Sequence, residues 1–283
     1  PLPNSSAARM RTRTLKALID ALFSFGIPLV FEKLETASPA AEVLMSSTRR
    51  TLRMPVGRSR CLFVDADGDW ESFEKKLSKP RRDRLKSMRK IADKMGPVRF
   101  DIVSPDRDQV GTMIGLFMAV ESRSWKFRTG TALVQNEIQQ AFLRGLAEGA
   151  AERENFRVFS MWIGDDLAAM RLAVVHAERL WEIKIGYDER FRRCSPGLLL
   201  THETIKNVFR SGLKGHEFLG LEEDWEHLWT DHGREYVWLA TYPPTLAGVA
   251  GWGEAASRLL WDKAGKILRR VQKPSAGAAL GPA

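Results

Sequence analysis

Lys184-Ile185-Gly186-Tyr187-Asp188-Glu189-Arg190-Phe191-Arg192-Arg193-Cys194-Ser195-Pro196-Gly197-Leu198-Leu199-Leu200 reads as a strand end, a basic turn and a helix start. Upstream, Trp181, Ile183, Ile185 and Tyr187 alternate with Glu182 and Lys184, the period of a half-buried strand. Ser195 suits an N-cap and Pro196 the first helical position. Leu198, Leu199, Ile205, Val208 and Phe209 then follow on one helical face. Arg190, Arg192 and Arg193 crowd the turn. A helix start with free backbone N–H groups, a glycine and several arginines suits a phosphate. The competing reading is an ordinary Ser-Pro cap with solvated arginines.

Working outward, three strands (156–163, 167–176 and 180–187) are joined by two tight turns, which is a meander. The helix at 196–211 leads to a strand at 217–219, a polar loop to Thr230 and a strand at 235–241. That order makes the 196–211 helix a crossover between parallel strands of a mixed α/β sheet. Before the meander, Ser104-Pro105-Asp106 caps a long helix running towards Trp125, and 136–152 is helical. Further upstream lie a helix at 10–25, strands at 29–34, 61–64 and 98–103, and a helix opened by Asp69-Trp70-Glu71. A helix over 252–271 and a Pro/Gly/Ala-rich tail at 273–283, read as disordered, complete the pattern.

The chain has 283 residues, 44% hydrophobic and 28% charged, and a net charge of +9. These values fit a globular protein with one large or two modest domains and a preference for anionic partners. No apolar run reaches the length of a membrane helix. The start at Pro1, without Met or a signal-peptide apolar region, reads as a fragment with a piece missing before it, in a cytoplasmic protein. Cys61 and Cys194 are the two cysteines. The histidines lack metal-ligand spacing, so no metal is expected. Cys194 reads as a buried thiol, with a lowered-pKa thiol beside the arginines as the alternative. Lys79, Arg81, Arg82, Arg84, Lys86, Arg89 and Lys90 form a basic helix with Leu85, Met88 and Ile91 on its packed face. It reads as a solvated face over a specific anion site, and without interleaved aromatics no specific nucleic-acid binding is expected.

With these segments in place, residues 104–242 resemble the GNAT-superfamily acetyltransferase domain of CelD-type polysaccharide-biosynthesis proteins, related to FemAB peptidyltransferases. The resemblance rests on Glu121-Ser122-Arg123-Ser124-Trp125-Lys126 with Gly130-Thr131-Ala132, and on Lys184-Ile185-Gly186-Tyr187-Asp188. Ser195-Pro196-Gly197 and Phe218-Leu219-Gly220 with Trp225 and Trp229 complete it. It implies a tandem GNAT-like fold, with an incomplete amino-terminal half at 1–103 and an acyltransferase domain at 104–272. It implies acetyl-CoA or another acyl-CoA as co-substrate. The acceptor would be an amine or hydroxyl on a small molecule, glycan or peptide. By position, Arg192, Arg193, Ser195 and Gly197 would hold the coenzyme's pyrophosphate. Arg123, Trp125, Lys126 and Trp225 would hold acceptor. Lys184 with Glu222, Glu223 and Asp224 would face the thioester and move the proton. Glu182 and Lys184, two residues apart, are expected on one strand face, where a plain cross-strand ion pair is the competing reading. His176 is a further candidate base. In many relatives the segment after Phe-Leu-Gly carries an aromatic–Lys pair, where this chain has Trp225-Glu226. Either Lys184 or His227 substitutes, or the acceptor or the activity differs. Rival readings are a FemAB-like aminoacyltransferase using aminoacyl-tRNA and a non-catalytic scaffold.

Overall fold

The computed structural model describes residues 5–46 and 51–257. Residues 1–59 with 235–283 form one compact unit, and residues 60–234 form a second.

The first unit contains α1 (Ser5–Ser24), β1 (Leu29–Glu35), α2 (Pro39–Ser46) and most of β8 (Gly233–Tyr242). β1 and β8 pair antiparallel, Leu29 opposite Thr241. Ile19 and Phe23 of α1 and Val43 and Leu44 of α2 bury their side chains with Leu239. Residues 246–257 are helical, and the rest of the helix expected over 252–271, with the 273–283 tail, lies outside the described residues.

In the second unit the elements are the end of β2 (Leu52–Asp65), α3 (Trp70–Lys76), α4 (Lys79–Met95), β3 (Val98–Val103) and α5 (Arg107–Glu121). Then come α6 (Trp125–Arg128), α7 (Glu137–Ala151), β4 (Phe156–Ile163), β5 (Asp166–His176) and β6 (Arg179–Tyr187). The short 3-10 turn Glu189–Cys194 leads into α8 (Pro196–Arg210), followed by β7 (Gly215–Glu217). The strands order as β2-β7-β6-β5-β4-β3. β3 to β6 are antiparallel, and α8 crosses over to set β7 parallel to β6. This is a mixed α/β sheet, with the crossover where the leucine pattern puts it.

Alternation decides which helix covers which face, because side chains on a strand point to opposite sides. Phe159, Met161 and Ile163 of β4 meet Met88 and Ala92 of α4 and Leu199 and Val208 of α8. Phe156 and Val158, on the opposite face, meet Val110, Ile114 and Phe117 of α5 and Leu143 and Ala147 of α7. α5 starts at a capping box, in which the Asp106 carboxylate accepts from the Gln109 amide (2.9 Å) and the Gln109 side chain accepts from the Asp106 amide (3.2 Å).

Four expectations are corrected. β2 runs from Leu52, nine residues before the predicted strand; Pro55, Gly57 and three arginines mask its period. The helix expected to run towards Trp125 stops at Glu121, where Ser122–Ser124 turn the chain before α6. Ser195 occupies the N-cap position but makes no capping hydrogen bond, because its backbone is left-handed (φ 49, ψ 62) and not extended as a capping side chain needs. Glu182 and Lys184 do not share a face. The β5–β6 register slips between Leu172–Lys184 and Ala173–Glu182, so Ile183 is the extra residue of a bulge.

Candidate functional site

β6 and β7 are hydrogen-bonded only as far as Trp181 opposite Glu217. Beyond that, Leu219 (φ 58) and Gly220 (φ 81) take left-handed backbone and carry the chain away from β6. β6 runs on to Tyr187 paired with β5 alone. A cavity of about 430 Å³ opens where the two strands part. Ile185, Gly186 and Tyr187 form one wall, and Ser195 to Leu198 at the start of α8 form another. Trp125 and Lys126 of α6, with Glu223 and Trp225 from the loop after β7, complete the lining.

Each wall has a local cause. Gly186 lies against α5, where an added Cβ would come within 3.3 Å of Glu121 Cβ and 3.5 Å of the Phe117 ring. The left-handed Ser195 redirects the chain from the 3-10 turn into α8. Pro196 has no N–H, and the amides of Leu198 and Leu199 fold back on the Ser195 carbonyl (3.0 and 3.2 Å). The Gly197 amide has no acceptor in its own helix and faces the anion-favouring end of the dipole. A Cβ at Gly197 would sit 3.7 Å from Ile185 and Tyr187, so the glycine widens the cavity rather than relieving a clash. Just upstream, Asp188 anchors the turn. It accepts from Arg123 Nε (2.5 Å) and from the amide (2.9 Å) and Nε (3.0 Å) of Arg190. Burial alone would raise its pKa; the hydrogen bonds from Arg190 and Arg123 outweigh that and hold it below the usual carboxylate range.

The charges behind the cavity follow from the bulge. Lys184 leans towards α5, with Nζ 3.9 Å from Glu121 Oε1. Glu121 is fully buried at the end of α5 and accepts from the Leu133 amide (2.6 Å) and from Lys126 Nζ (3.2 Å). Lys126 also donates to the Ile185 carbonyl (2.6 Å), on the strand edge that faces the cavity. Burial lowers the Lys184 pKa, Glu121 opposes the shift, and Lys126 adds to it. On the other face, Glu182 meets Arg171 (3.1 Å) and His216 (3.3 Å), and Arg171 donates to Thr201 of α8 (2.7 Å). Burial would raise the Glu182 pKa; Arg171 and His216 more than compensate, so the carboxylate stays ionised. Burial pushes the pKa of the Tyr187 phenol upward, leaving a neutral O–H donor on the cavity wall.

Of the residues singled out from the sequence, Trp125, Lys126, Arg192, Ser195, Gly197, Glu223 and Trp225 converge on this cavity. Arg123 does not line it, being committed to Asp188. Arg193 is exposed beside the turn, and Asp224 is exposed in its loop. Glu222 pairs with Arg60 (3.2 Å) and His227 (2.9 Å), away from the lining. His176 is exposed at the end of β5. Cys194 is fully buried, and burial pushes its thiol up, which corrects the lowered-pKa alternative. Glu121 and Tyr187 carry roles the sequence reading missed. The signal for Glu121 was a lone acid closing an otherwise apolar helix face. Among the described residues no group of three His, Cys, Asp or Glu side chains could hold a metal ion, and no helix is long and apolar enough to cross a membrane.

The acetyltransferase (GNAT) domain family matches residues 79–227, half of the chain, inside the second compact unit and straddling residue 103. Among solved structures the chain is similar to FemX, with TM-score 0.56 and 10% identity over 82% of this chain and 77% of that one. It is also similar to the C-terminal domain assigned to a lysylphosphatidylglycerol synthetase from Agrobacterium fabrum (TM-score 0.55, 12% identity, 84% and 75% covered). A third is L-PGS from Bacillus licheniformis (TM-score 0.51, 12% identity, 83% and 74% covered). At these identities the likeness is one of fold. No curated protein matches the chain.

Proposed function

The chain belongs to the acetyltransferase (GNAT) domain family, and from that premise we propose that it transfers an acyl group from acetyl-CoA or another acyl-CoA to an amine or hydroxyl acceptor. The observation that carries this reading is the cavity at the β6–β7 parting, roofed by the uncapped start of α8. An extended amide chain can pair with the free edge of β6, while a pyrophosphate meets the Gly197 amide and Arg192. The acceptor's lone pair attacks the thioester carbonyl carbon, the C–S bond breaks, and the proton released by the acceptor goes to a carboxylate. Of the expected acids Glu223 is the one that lines the cavity, and we assign proton removal to it. Lys126 faces the developing negative charge, and Lys184 acts on the site through Glu121. Tyr187 is the donor available to the departing thiolate. Trp125 and Trp225 border the acceptor end. A role in polysaccharide or cell-envelope synthesis, and a division into an incomplete half at 1–103 and a transferase domain at 104–272, belong to the same proposal.

Calorimetric titration with coenzyme A tests it. Arg192→Ala should weaken binding by about 1–3 kcal/mol, the scale of charge-assisted hydrogen bonds, and Arg193→Ala much less. Gly197→Val should fill the cavity without unfolding the chain. No binding of coenzyme A by the unaltered protein would favour a scaffold, and steeply salt-dependent binding of aminoacyl-tRNA would favour the FemAB-like reading.

A further inference from the structure

We propose that the groove between α4 and α8 is a second anion site, which takes a compact phosphate-bearing ligand and shares no residue with the cavity at the start of α8. The groove encloses about 390 Å³. Five cationic side chains line it, Arg82, Lys86, Arg89 and Lys90 from α4 and Lys206 from α8, against the carboxylates of Glu74 and Glu203.

The pairing is incomplete on the cationic side. Glu74 lies 3.2 Å from His202 Nε2, and Glu203 lies 3.8 Å from Lys206. Arg89 bonds Asp93 at 2.9 Å, and Arg82 turns to the carbonyls of Lys75 and Leu77. Lys86 and Lys90 have no hydrogen-bond or ion-pair partner among the described residues. The sequence explains why. Positions four before and four after Lys86 are Arg82 and Lys90, and the nearby acids Asp83 and Asp93 are paired with Lys79 (2.9 Å) and Arg89 (2.9 Å), so repulsion from Arg82 and Lys90 is only partly offset by Asp83. An anion between the two ammonium groups relieves that repulsion.

The walls suit a phosphate group. Leu85 and Leu199 give the groove an apolar floor, which strengthens charge interactions above it. Burial lowers the pKa of His202 more than Glu74 raises it, so its imidazole stands neutral beside the anion. The cationic stripe from Arg82 to Lys90 is about 12 Å long at 1.5 Å per residue, enough for one or two phosphates. An RNA backbone is a poorer fit. Phe100 in the groove already carries the Arg89 guanidinium over one face of its ring, 5.8 Å from the centroid, where a base would otherwise stack.

The probe is inorganic pyrophosphate, titrated calorimetrically at low salt into the full chain. Saturable binding is expected, weakened at least about tenfold in the Lys86→Ala/Lys90→Ala double variant, as loss of charge-assisted hydrogen bonds requires. Lys86→Arg/Lys90→Arg should retain it, and Arg192→Ala, which removes the pyrophosphate contact of the other cavity, should leave the lysine-dependent part of the binding in place. Both lysines are exposed, so a thermal melt of the double variant should match that of the unaltered protein. The proposal is overturned by any of three results: no saturable binding, binding lost with Arg192→Ala but kept in the double variant, or tRNA binding far tighter than pyrophosphate and dependent on the two lysines. Because the groove and the coenzyme A cavity have separate variants, either can fail without the other.

Discussion

Burial, assisted by the carboxylates of Glu182, Glu223 and Glu222, pushes the Glu226 carboxyl up to about 7 from an ordinary 4.5, against the opposing amide of Glu223. Glu226 stands where the family resemblance leads a lysine to be expected, and it turns inward with no cation among the causes of its shift. Of the two expected substitutes, His227 is paired with Glu222 and Asp231, and Lys184 leans towards Glu121. The consequence is a pH dependence of stability with a definite sign. Below 4.5 both folded and unfolded chains keep the proton. Between 4.5 and about 7 the unfolded chain releases it first, so stability falls as pH rises. Above about 7 the full penalty stands, about 3 kcal/mol for a shift of that size at 1.36 kcal/mol per unit. Glu226→Gln keeps the shape and removes the titration. Urea unfolding at pH 5 and pH 8 should show the variant gaining on the unaltered protein as pH rises. A difference between the two proteins that stays constant across that range would show that Glu226 is not buried among carboxylates.

At the scale of elements, two N-caps that look alike in sequence are separated by backbone geometry. Asp106 precedes α5 in extended conformation, and its carboxylate takes the Gln109 amide. Ser195 precedes α8 in left-handed conformation, and its hydroxyl caps nothing. Asp106→Ala should therefore cost about 1 kcal/mol of stability, while Ser195→Ala should stay within about 0.5. Equal losses in guanidinium melts would refute the distinction. The same contrast marks what was legible. The meander, the crossover helix and the basic turn follow from periodicity and caps, because those signals are local. The bulge at Ile183 is not local. One residue of slippage reverses every side chain beyond it, so Lys184 and Glu182 end on opposite faces although their spacing places them together. Nothing in Trp-Glu-Ile-Lys-Ile announces the slip, which is set by packing across β5. The commitment of Arg123 to Asp188, 65 positions away, was hidden for the same reason.

For the whole molecule, stability should be distributed as the packing is. β4 and β5 of the second unit lie between two apolar clusters, with Phe159 and Met161 sealed on one face and Val158 and Leu172 on the other. Their amides can exchange only through the largest openings. β6 is different along its length. Up to Trp181 it is paired on both sides, and from Ile185 to Tyr187 its outer edge meets Lys126 and the cavity. Native-state hydrogen exchange should therefore find β4 and β5 slowest, with the amides of 185–187 and 197–199 markedly faster. Ligand that binds only the folded state slows the exchange of the groups it touches and raises stability by mass action. If coenzyme A occupies the parting of β6 and β7, adding it should slow exchange at 185–187 and 197–199. Exchange along α4 at 82–90 should stay unchanged, while pyrophosphate should slow it there. Protection by coenzyme A at 82–90 with none at 185–187 would move the donor site out of the parted strands altogether.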